Sequence, residues 1–156
     1  MMTRLELLIP PLLLTGVLMA LILLLSWWLP SAAFALPAQL SLGLSTLFGV
    51  LAIAWVLPAA LAFAKANTTV NPQHPENSQT LVTSGWYRVS RNPMYVGFLF
   101  ALISITCFTG HVSGVLISLL FVAYMNHFQI RPEERILTAH FGTAYVQYCQ
   151  KVRRWL

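Results

Sequence analysis

The chain has 156 residues, of which 58% are hydrophobic and 8% charged, and its formal net charge is +5. Soluble domains carry charge on about a quarter of their residues, so this composition excludes an ordinary soluble domain and predicts an integral membrane protein. Membrane lipids are the expected partners of the basic residues, because anionic headgroups attract Lys and Arg. A nucleic-acid partner is not expected, since it would require a basic face on a soluble module.

Four apolar runs are expected to form transmembrane helices, since about 20 helical residues cross a hydrocarbon core. Pro10 and Pro11 suit the start of the first helix, and Pro58 predicts a kink in the second. Backbone groups in lipid must be bonded internally, which favours helices over barrel strands for runs of this length. The expected fold is all-α, with one membrane-embedded domain over residues 1–156. The runs cover about 12–29, 40–64, 94–109 and 112–130.

A cleaved signal peptide is the alternative for the first run. Arg4, the apolar run and Ala33-Phe34-Ala35 imitate the three regions of such a peptide. The run is longer than the usual 7 to 15 apolar residues, which favours a retained helix.

Basic residues lie on alternate connections between the runs. All nine Lys and Arg precede the first run, lie between the second and third, or follow the fourth, whereas 30–39 and 110–111 contain none. Because cytoplasmic loops carry excess Lys and Arg, both termini are predicted to be cytoplasmic, at the inner membrane if the source is bacterial. Gly110 and His111 alone separate the last two runs, which predicts a tight antiparallel hairpin.

The chain after the fourth run has the periodicity of an amphipathic helix. This helix is expected either to lie in the membrane interface or to fold back over the cytoplasmic end of the bundle and close a pocket. Its apolar positions recur at spacings of three and four: Leu137, Phe141, Ala144, Tyr145, Tyr148, Val152 and Trp155.

Histidine and cysteine do not point to a metal or disulfide framework. The four histidines show no ligand spacing with one another or with Cys107 and Cys149, so no metal site is expected. The two cysteines fall at different depths and are not expected to pair. Signatures of common soluble enzymes, such as a Walker loop or a Rossmann glycine pattern, are absent.

Two polar clusters bracket the predicted hairpin. One is the stretch SGWYRVSRNPMYVGF at 84–98, and the other is Arg131-Pro132-Glu133-Glu134. Because a two-helix hairpin brings its ends together, Arg91 and Glu134 are predicted to be neighbours. Interfacial anchoring explains a lone Arg such as Arg88, but carboxylates are not helped by anionic lipid and usually have a partner.

The two clusters together resemble the isoprenylcysteine carboxyl methyltransferases and the related phospholipid N-methyltransferases. The resemblance covers 79–152 and rests on the patterns G-x-Y-x-x-x-R-H-P-x-Y-x-G and E-E-x-x-L-x-x-x-F-G-x-x-Y-x-x-Y. The matching residues are Gly85, Tyr87, Arg91, Pro93, Tyr95 and Gly97, then Glu133, Glu134, Leu137, Phe141, Gly142, Tyr145 and Tyr148.

The resemblance implies a methyltransferase that uses S-adenosyl-L-methionine and a lipid-like or prenylated methyl acceptor at the cytoplasmic face. Arg131, Glu133 and Glu134 correspond to the region that positions the acceptor. An arginine and carboxylates would complement the charged groups of the cofactor, and tyrosines would cover its cationic or adenine face. The implied cofactor-binding residues are Gln79, Thr80, Leu81, Val82, Tyr87, Arg91, Asn92, Pro93, Met94 and Tyr95.

One position departs from the family pattern, because Asn92 stands where the family has His. Asn can donate or accept a hydrogen bond but cannot titrate, so it cannot act as a general base. A carboxylate acceptor needs mainly alignment, whereas an amine acceptor must lose a proton, which Glu133, Glu134 or water would take.

Two other functions remain open. Some sterol reductases share a similar Pro-x-Tyr-x-Gly element, which allows a nicotinamide-dependent lipid reductase. A non-enzymatic membrane scaffold that retains the motif is the second alternative. Binding of S-adenosylhomocysteine, of NADPH or of neither distinguishes the three.

Overall fold

The computed structural model describes residues 6–34, 36–66 and 80–156. Within these ranges the chain is helical, and its β-structure is limited to two isolated bridges, which confirms the all-α prediction. Six π-helical residues, Met125–Ile130, join α4 to α5, and 3-10 helices cover Pro30–Ala32 and Gly85–Arg88. The α-helices are α1 (Pro11–Trp28), α2 (Ala38–Lys65), α3 (Pro93–Thr109), α4 (Val112–Tyr124), α5 (Arg131–Phe141) and α6 (Thr143–Lys151).

The apolar helices agree closely with the predicted spans. Helices α1 and α2 and the continuous helix from Val112 to Phe141 are long and apolar enough to cross a membrane, and α3 is a shorter apolar helix. Because about 20 helical residues cross a hydrocarbon core, Val112–Ile130 is sufficient, and α5 begins beyond it with the charged Arg131. The chain is a membrane protein. Helix α2 runs through Pro58 without ending there.

Helices α2 and α3 pack closely because small residues line their contact. A Cβ atom on Gly97 would lie 2.5 Å from Val56 Cγ2 and 3.0 Å from the carbonyl of Ala52. Towards the other end of the pair, the Ser104 hydroxyl donates to the carbonyl of Ser45 at 2.7 Å. Close backbone approach at small residues is a common means of helix association in membranes.

The predicted hairpin of α3 and α4 is confirmed. Gly110 has a φ of +57°, a left-handed conformation that glycine adopts without strain. His111 caps α4 by accepting from the Ser113 N–H at 3.2 Å, and its Nε2 lies 2.9 Å from the carbonyl of Leu29. The turn is thereby attached to the end of α1.

The polar ends of the helices meet at one end of the bundle. Glu6, which precedes α1, pairs with Arg135 of α5 at 2.6 Å, and the Leu7 N–H donates to the carbonyl of Phe128 at 3.0 Å. The Arg91 N–H donates to the carbonyl of Arg153 at 2.8 Å. The start of α1, the segment before α3 and both C-terminal helices are therefore neighbours.

The predicted C-terminal amphipathic helix is divided in two. Gly142 has a φ of +56° and a ψ of −129°, a conformation that ends α5 and redirects the chain into α6. Of the predicted apolar face, Tyr145 and Tyr148 are buried but Ala144 is exposed. The periodicity of the sequence did not predict the break.

Candidate functional site

The segment before α3 lies against the last turns of α2. Val82 and Tyr87 are buried with Ala59, and Phe63 packs against them. The rings of Phe63 and Tyr87 meet edge to face with centroids 5.4 Å apart. The Tyr87 backbone carbonyl accepts from the Tyr148 hydroxyl at 2.7 Å, so this segment is held between α2 and α6.

Arg91 lies where three parts of the chain converge. Its Nη1 is 3.1 Å from Glu134 Oε1 and 2.7 Å from Cys149 Sγ, so the predicted proximity of Arg91 and Glu134 is confirmed. The Arg91 side chain is 15% exposed. Its Nε is buried and has no hydrogen-bond partner among the described residues, which leaves one donor available at a site that is largely closed to solvent.

Glu134 also forms a bidentate pair with Arg154. Arg154 donates from Nε at 3.0 Å and from Nη2 at 2.7 Å, a geometry that strengthens an Arg–carboxylate contact. Hydrogen bonding to Glu134 is the main cause of a raised Arg154 pKa. The Glu134 carboxylate therefore bridges two guanidinium groups, one from a residue that precedes α3 and one from a residue that follows α6.

Glu133 faces a different neighbour from Glu134. Its Oε1 accepts from the Tyr95 hydroxyl at 2.6 Å and from Gln129 Nε2 at 2.5 Å, and both donors are neutral. Burial raises the pKa of this carboxyl group to about 7, because a buried charge is poorly solvated. Adjacent residues on a helix diverge by about 100°, which explains why the two carboxylates serve separate contacts.

Gln129 lies in the π-helical turn before α5. Its side chain is buried, four residues before Glu133 and one turn below it. A π-helical turn inserts a residue into the regular repeat and often occurs at functional sites. The turn also contains Asn126, whose Oδ1 accepts from Trp155 Nε1 at 3.1 Å.

The segment after α6 runs alongside the residues that precede α3. Asn92 donates from Nδ2 to the carbonyl of Arg154 at 2.9 Å, and the Ser90 hydroxyl donates to the same carbonyl at 3.3 Å. In this arrangement the side chain that replaces the family His is used to hold the segment 152–156.

Two further tyrosines line the site from α6. Tyr145 and Tyr148 are buried, with ring centroids 6.1 Å apart. Burial raises the pKa of both phenols and of Tyr87. All three therefore remain neutral hydroxyl groups at physiological pH.

The structure brings most of the predicted residues to this end of the bundle. Met94 packs against both buried apolar clusters, and Pro93 begins α3. Thr80 is exposed, Leu81 is half-buried, and Arg131 is exposed at the start of α5. Gln79 lies outside the described residues.

Sequence reasoning missed three residues of the cluster. Gln129 stands one turn before Glu133, a spacing that could have identified it. Cys149 and Arg154 carry no comparable signal, because their contacts depend on how α6 folds back. Among the described residues, no group of three or more His, Cys, Asp or Glu could hold a metal ion.

Comparison with known proteins identifies a family and a relative of this chain. The profile of a family described as phospholipid methyltransferase matches residues 39–144, from the start of α2 into α6. An uncharacterized protein of Haemophilus influenzae is 41% identical over 63 residues, which are all of that protein and 40% of this chain. No solved structure matches the chain.

Proposed function

The chain belongs to the phospholipid methyltransferase family, a group of membrane methyltransferases, and from that membership we propose its reaction. The proposed activity is transfer of a methyl group from S-adenosyl-L-methionine to a lipid-like or prenylated amphiphile at the cytoplasmic membrane face. The observation that carries this proposal is the convergence of Arg91, Glu134 and Arg154 beside buried tyrosines, at the end of an apolar helical bundle.

The residues of this cluster fit the proposed cofactor. S-adenosylmethionine carries a carboxylate, an ammonium and a sulfonium whose methyl group is electrophilic. The buried Arg91 Nε has no partner among the described residues and suits the carboxylate, since Arg matches carboxylates with charge-assisted hydrogen bonds. Glu134 would complement the ammonium, and the rings of Tyr87 and Tyr95 would cover cationic or aromatic faces. The segment 79–82 and residues 92–94 would complete the contacts.

Glu133 is the carboxylate best placed to serve the acceptor. It contacts two neutral donors, Tyr95 and Gln129, so its negative charge is not compensated by these contacts. An acceptor amine would be complemented there and would pass its proton to Glu133, whereas an acceptor carboxylate would meet like charge. A carboxyl group whose pKa is about 7 is well matched to general-base work at neutral pH.

Arg131 is proposed to hold the outer part of the acceptor's headgroup. It is exposed at the start of α5, two residues from Glu133, where a basic side chain attracts an anionic group at the membrane surface. The tail of the acceptor would remain in lipid beside the apolar helices.

The distribution of charge supports a proposed side of the membrane for the cluster. The basic residues of the described chain concentrate at the end of the bundle that holds the cluster, and cytoplasmic ends of membrane proteins are enriched in Lys and Arg. We therefore assign this end, with both termini, to the cytoplasm, which also supplies S-adenosylmethionine.

Calorimetry of the detergent-solubilised protein tests the proposal. We expect saturable binding of S-adenosylhomocysteine and no binding of NADPH. Membranes or lipid extracts incubated with the protein and a radiolabelled methyl donor should then yield a labelled lipid. NADPH binding without S-adenosylhomocysteine binding would favour the reductase, and binding of neither would favour the scaffold.

A further inference from the structure

Pro58 leaves one backbone carbonyl of α2 without its helical partner. In an α-helix the N–H of each residue bonds to the carbonyl four residues earlier, and proline has no N–H. Helix α2 continues through Pro58 to Lys65, so the carbonyl of Ala54 cannot receive the usual hydrogen bond. Such a carbonyl is costly to leave unpaired in an apolar environment.

The indole of Trp86 supplies the missing donor. Trp86 Nε1 donates to the carbonyl of Ala54 at 2.9 Å. The indole also stacks on Trp55, with centroids 4.4 Å apart and an angle of 14° between the rings. The rings of Trp55 and of Phe100 in α3 in turn form an edge-to-face contact, with centroids 6.0 Å apart. The Trp86 side chain, which lies outside the α-helices, is therefore attached to α2 by a directed hydrogen bond and by ring contact.

Trp86 belongs to the short 3-10 helix that carries Tyr87. This helix begins at Gly85, whose φ is +59°, and Val89 and Ser90 both donate their N–H groups to the Trp86 carbonyl at 3.0 Å. The backbone of Trp86 therefore organises the turn into the Arg91 region. The neighbouring Tyr87 carbonyl accepts from Tyr148 of α6.

We propose that Trp86 is a positioning residue for the cofactor site and that it acts through the Ala54 carbonyl, which Pro58 leaves free. The hydrogen bond places the Gly85–Arg88 turn, and with it the Tyr87 carbonyl that holds α6 over Arg91. This inference rests on the proposed function, because the site that it positions is the proposed cofactor site. A Trp that served only as an interfacial anchor would not depend on its N–H or on Pro58.

A double-mutant cycle of Trp86→Phe and Pro58→Ala tests this mechanism. Phe keeps a ring that can stack on Trp55 but removes the N–H, whereas Ala at position 58 returns a backbone N–H that can pair with Ala54. The melting temperature and the Kd for S-adenosylhomocysteine are measured for all four proteins. Trp27→Phe is the matched control, because Trp27 is 77% exposed on α1 and lies outside the cluster.

We expect W86F to lower the melting temperature and to weaken S-adenosylhomocysteine binding by roughly three- to tenfold, as for loss of one hydrogen bond. In the P58A background W86F should lower the melting temperature less and raise the Kd less. The backbone N–H that alanine supplies at position 58 of α2 can then donate to the Ala54 carbonyl in place of the indole. W27F should change neither quantity. If W86F alone does not fold, the double variant should fold and bind.

Three results would overturn the inference. These are an unchanged Kd in W86F, equal costs of W86F in both backgrounds, and a double variant that fails to fold as W86F does. Failure of the proposed function is distinguishable, because the wild-type protein would then bind no S-adenosylhomocysteine. In that case the proposed positioning role of Trp86 would also be wrong. The melting temperatures of the four proteins would still show whether Pro58 and Trp86 are energetically coupled.

Discussion

Arg91 and Glu134 form an ion pair across the ends of the α3–α4 hairpin, with Nη1 3.1 Å from Oε1. Glu134 also keeps a bidentate contact with Arg154, so it retains a cationic partner if Arg91 is removed. The loss of Arg91 can therefore be tested for its effect on binding without leaving Glu134 unpaired.

We expect Arg91→Ala to weaken S-adenosylhomocysteine binding while the protein stays folded. Removing a charge-assisted contact costs about 1.5 to 3 kcal/mol, or roughly tenfold to more than a hundredfold in affinity. Arg88 is exposed, and Arg88→Ala is the matched control that should have little effect. Calorimetry measures the affinity of both variants for S-adenosylhomocysteine. Equal losses of affinity would mean that Arg91 acts only as part of a basic surface and not as a specific cofactor contact.

Glu133→Gln should lower methyl transfer at least tenfold and leave cofactor affinity nearly unchanged. The amide keeps the shape of the side chain but cannot take a proton, and general-base catalysis contributes roughly 10²- to 10⁴-fold. The measurement is single-turnover transfer at saturating cofactor, once an acceptor is identified. Full turnover in this variant would exclude Glu133 as the base.

Glu134→Gln should act on stability and cofactor binding instead. It weakens the contacts with Arg91 and Arg154, which we expect to cost about 1 to 2 kcal/mol because both partners are partly exposed. Thermal unfolding and calorimetry measure the two effects. A normal melting temperature combined with abolished transfer would mean that the roles of the two carboxylates are reversed.

The raised pKa of Glu133 predicts how stability depends on pH. The folded protein binds the Glu133 proton more tightly than the unfolded chain does, since burial raises the pKa from 4.5 to about 7. This contribution to stability is fully present below about pH 4.5, declines as the pH rises to about 7, and is constant above that. The melting temperature of the wild type should therefore fall relative to Glu133→Gln over this range. A constant difference between the two proteins would contradict the shift.

Gly97→Ala should destabilise the contact between α2 and α3. The new Cβ would lie 2.5 Å from Val56 Cγ2 and 3.0 Å from a backbone carbonyl, and such overpacking typically costs about 1 to 3 kcal/mol. Gly43→Ala is the control, since its Cβ meets nothing within 4 Å and alanine favours the helix. Thermal unfolding of both variants in detergent measures the difference. An equal response would mean that α2 and α3 do not pack at Gly97.

Labelling of Cys149 tests the proposed orientation. In a Cys107→Ser variant Cys149 is the remaining thiol, and it lies against Arg91 at the polar end of the bundle. An impermeant thiol reagent should label it only after the cells are permeabilised. Efficient labelling from outside sealed cells would reverse the assigned topology.

The helices, the hairpin and the meeting of the polar ends of the hairpin could be predicted from the sequence. Apolar runs of this length must be helical in lipid because their backbone groups have no other partners, and a two-residue connection leaves two helices no arrangement except an antiparallel pair. The proximity of Arg91 and Glu134 follows from those constraints, and the methyltransferase resemblance follows from the residues around them.

The neighbour that each carboxylate contacts could not be predicted from the sequence, because it depends on the tertiary fold. The sequence assigned Glu133 and Glu134 together to the acceptor region. In the structure Glu133 contacts Tyr95, whereas Glu134 pairs with Arg91 and Arg154. The helical repeat predicts which residues share a face of the helix, but it does not predict which neighbouring element that face contacts. The contacts of each face depend on the π-helical turn before α5, on the break at Gly142 and on the segment after α6, which runs beside Asn92. These features depend on contacts between residues far apart in sequence, which no local pattern records.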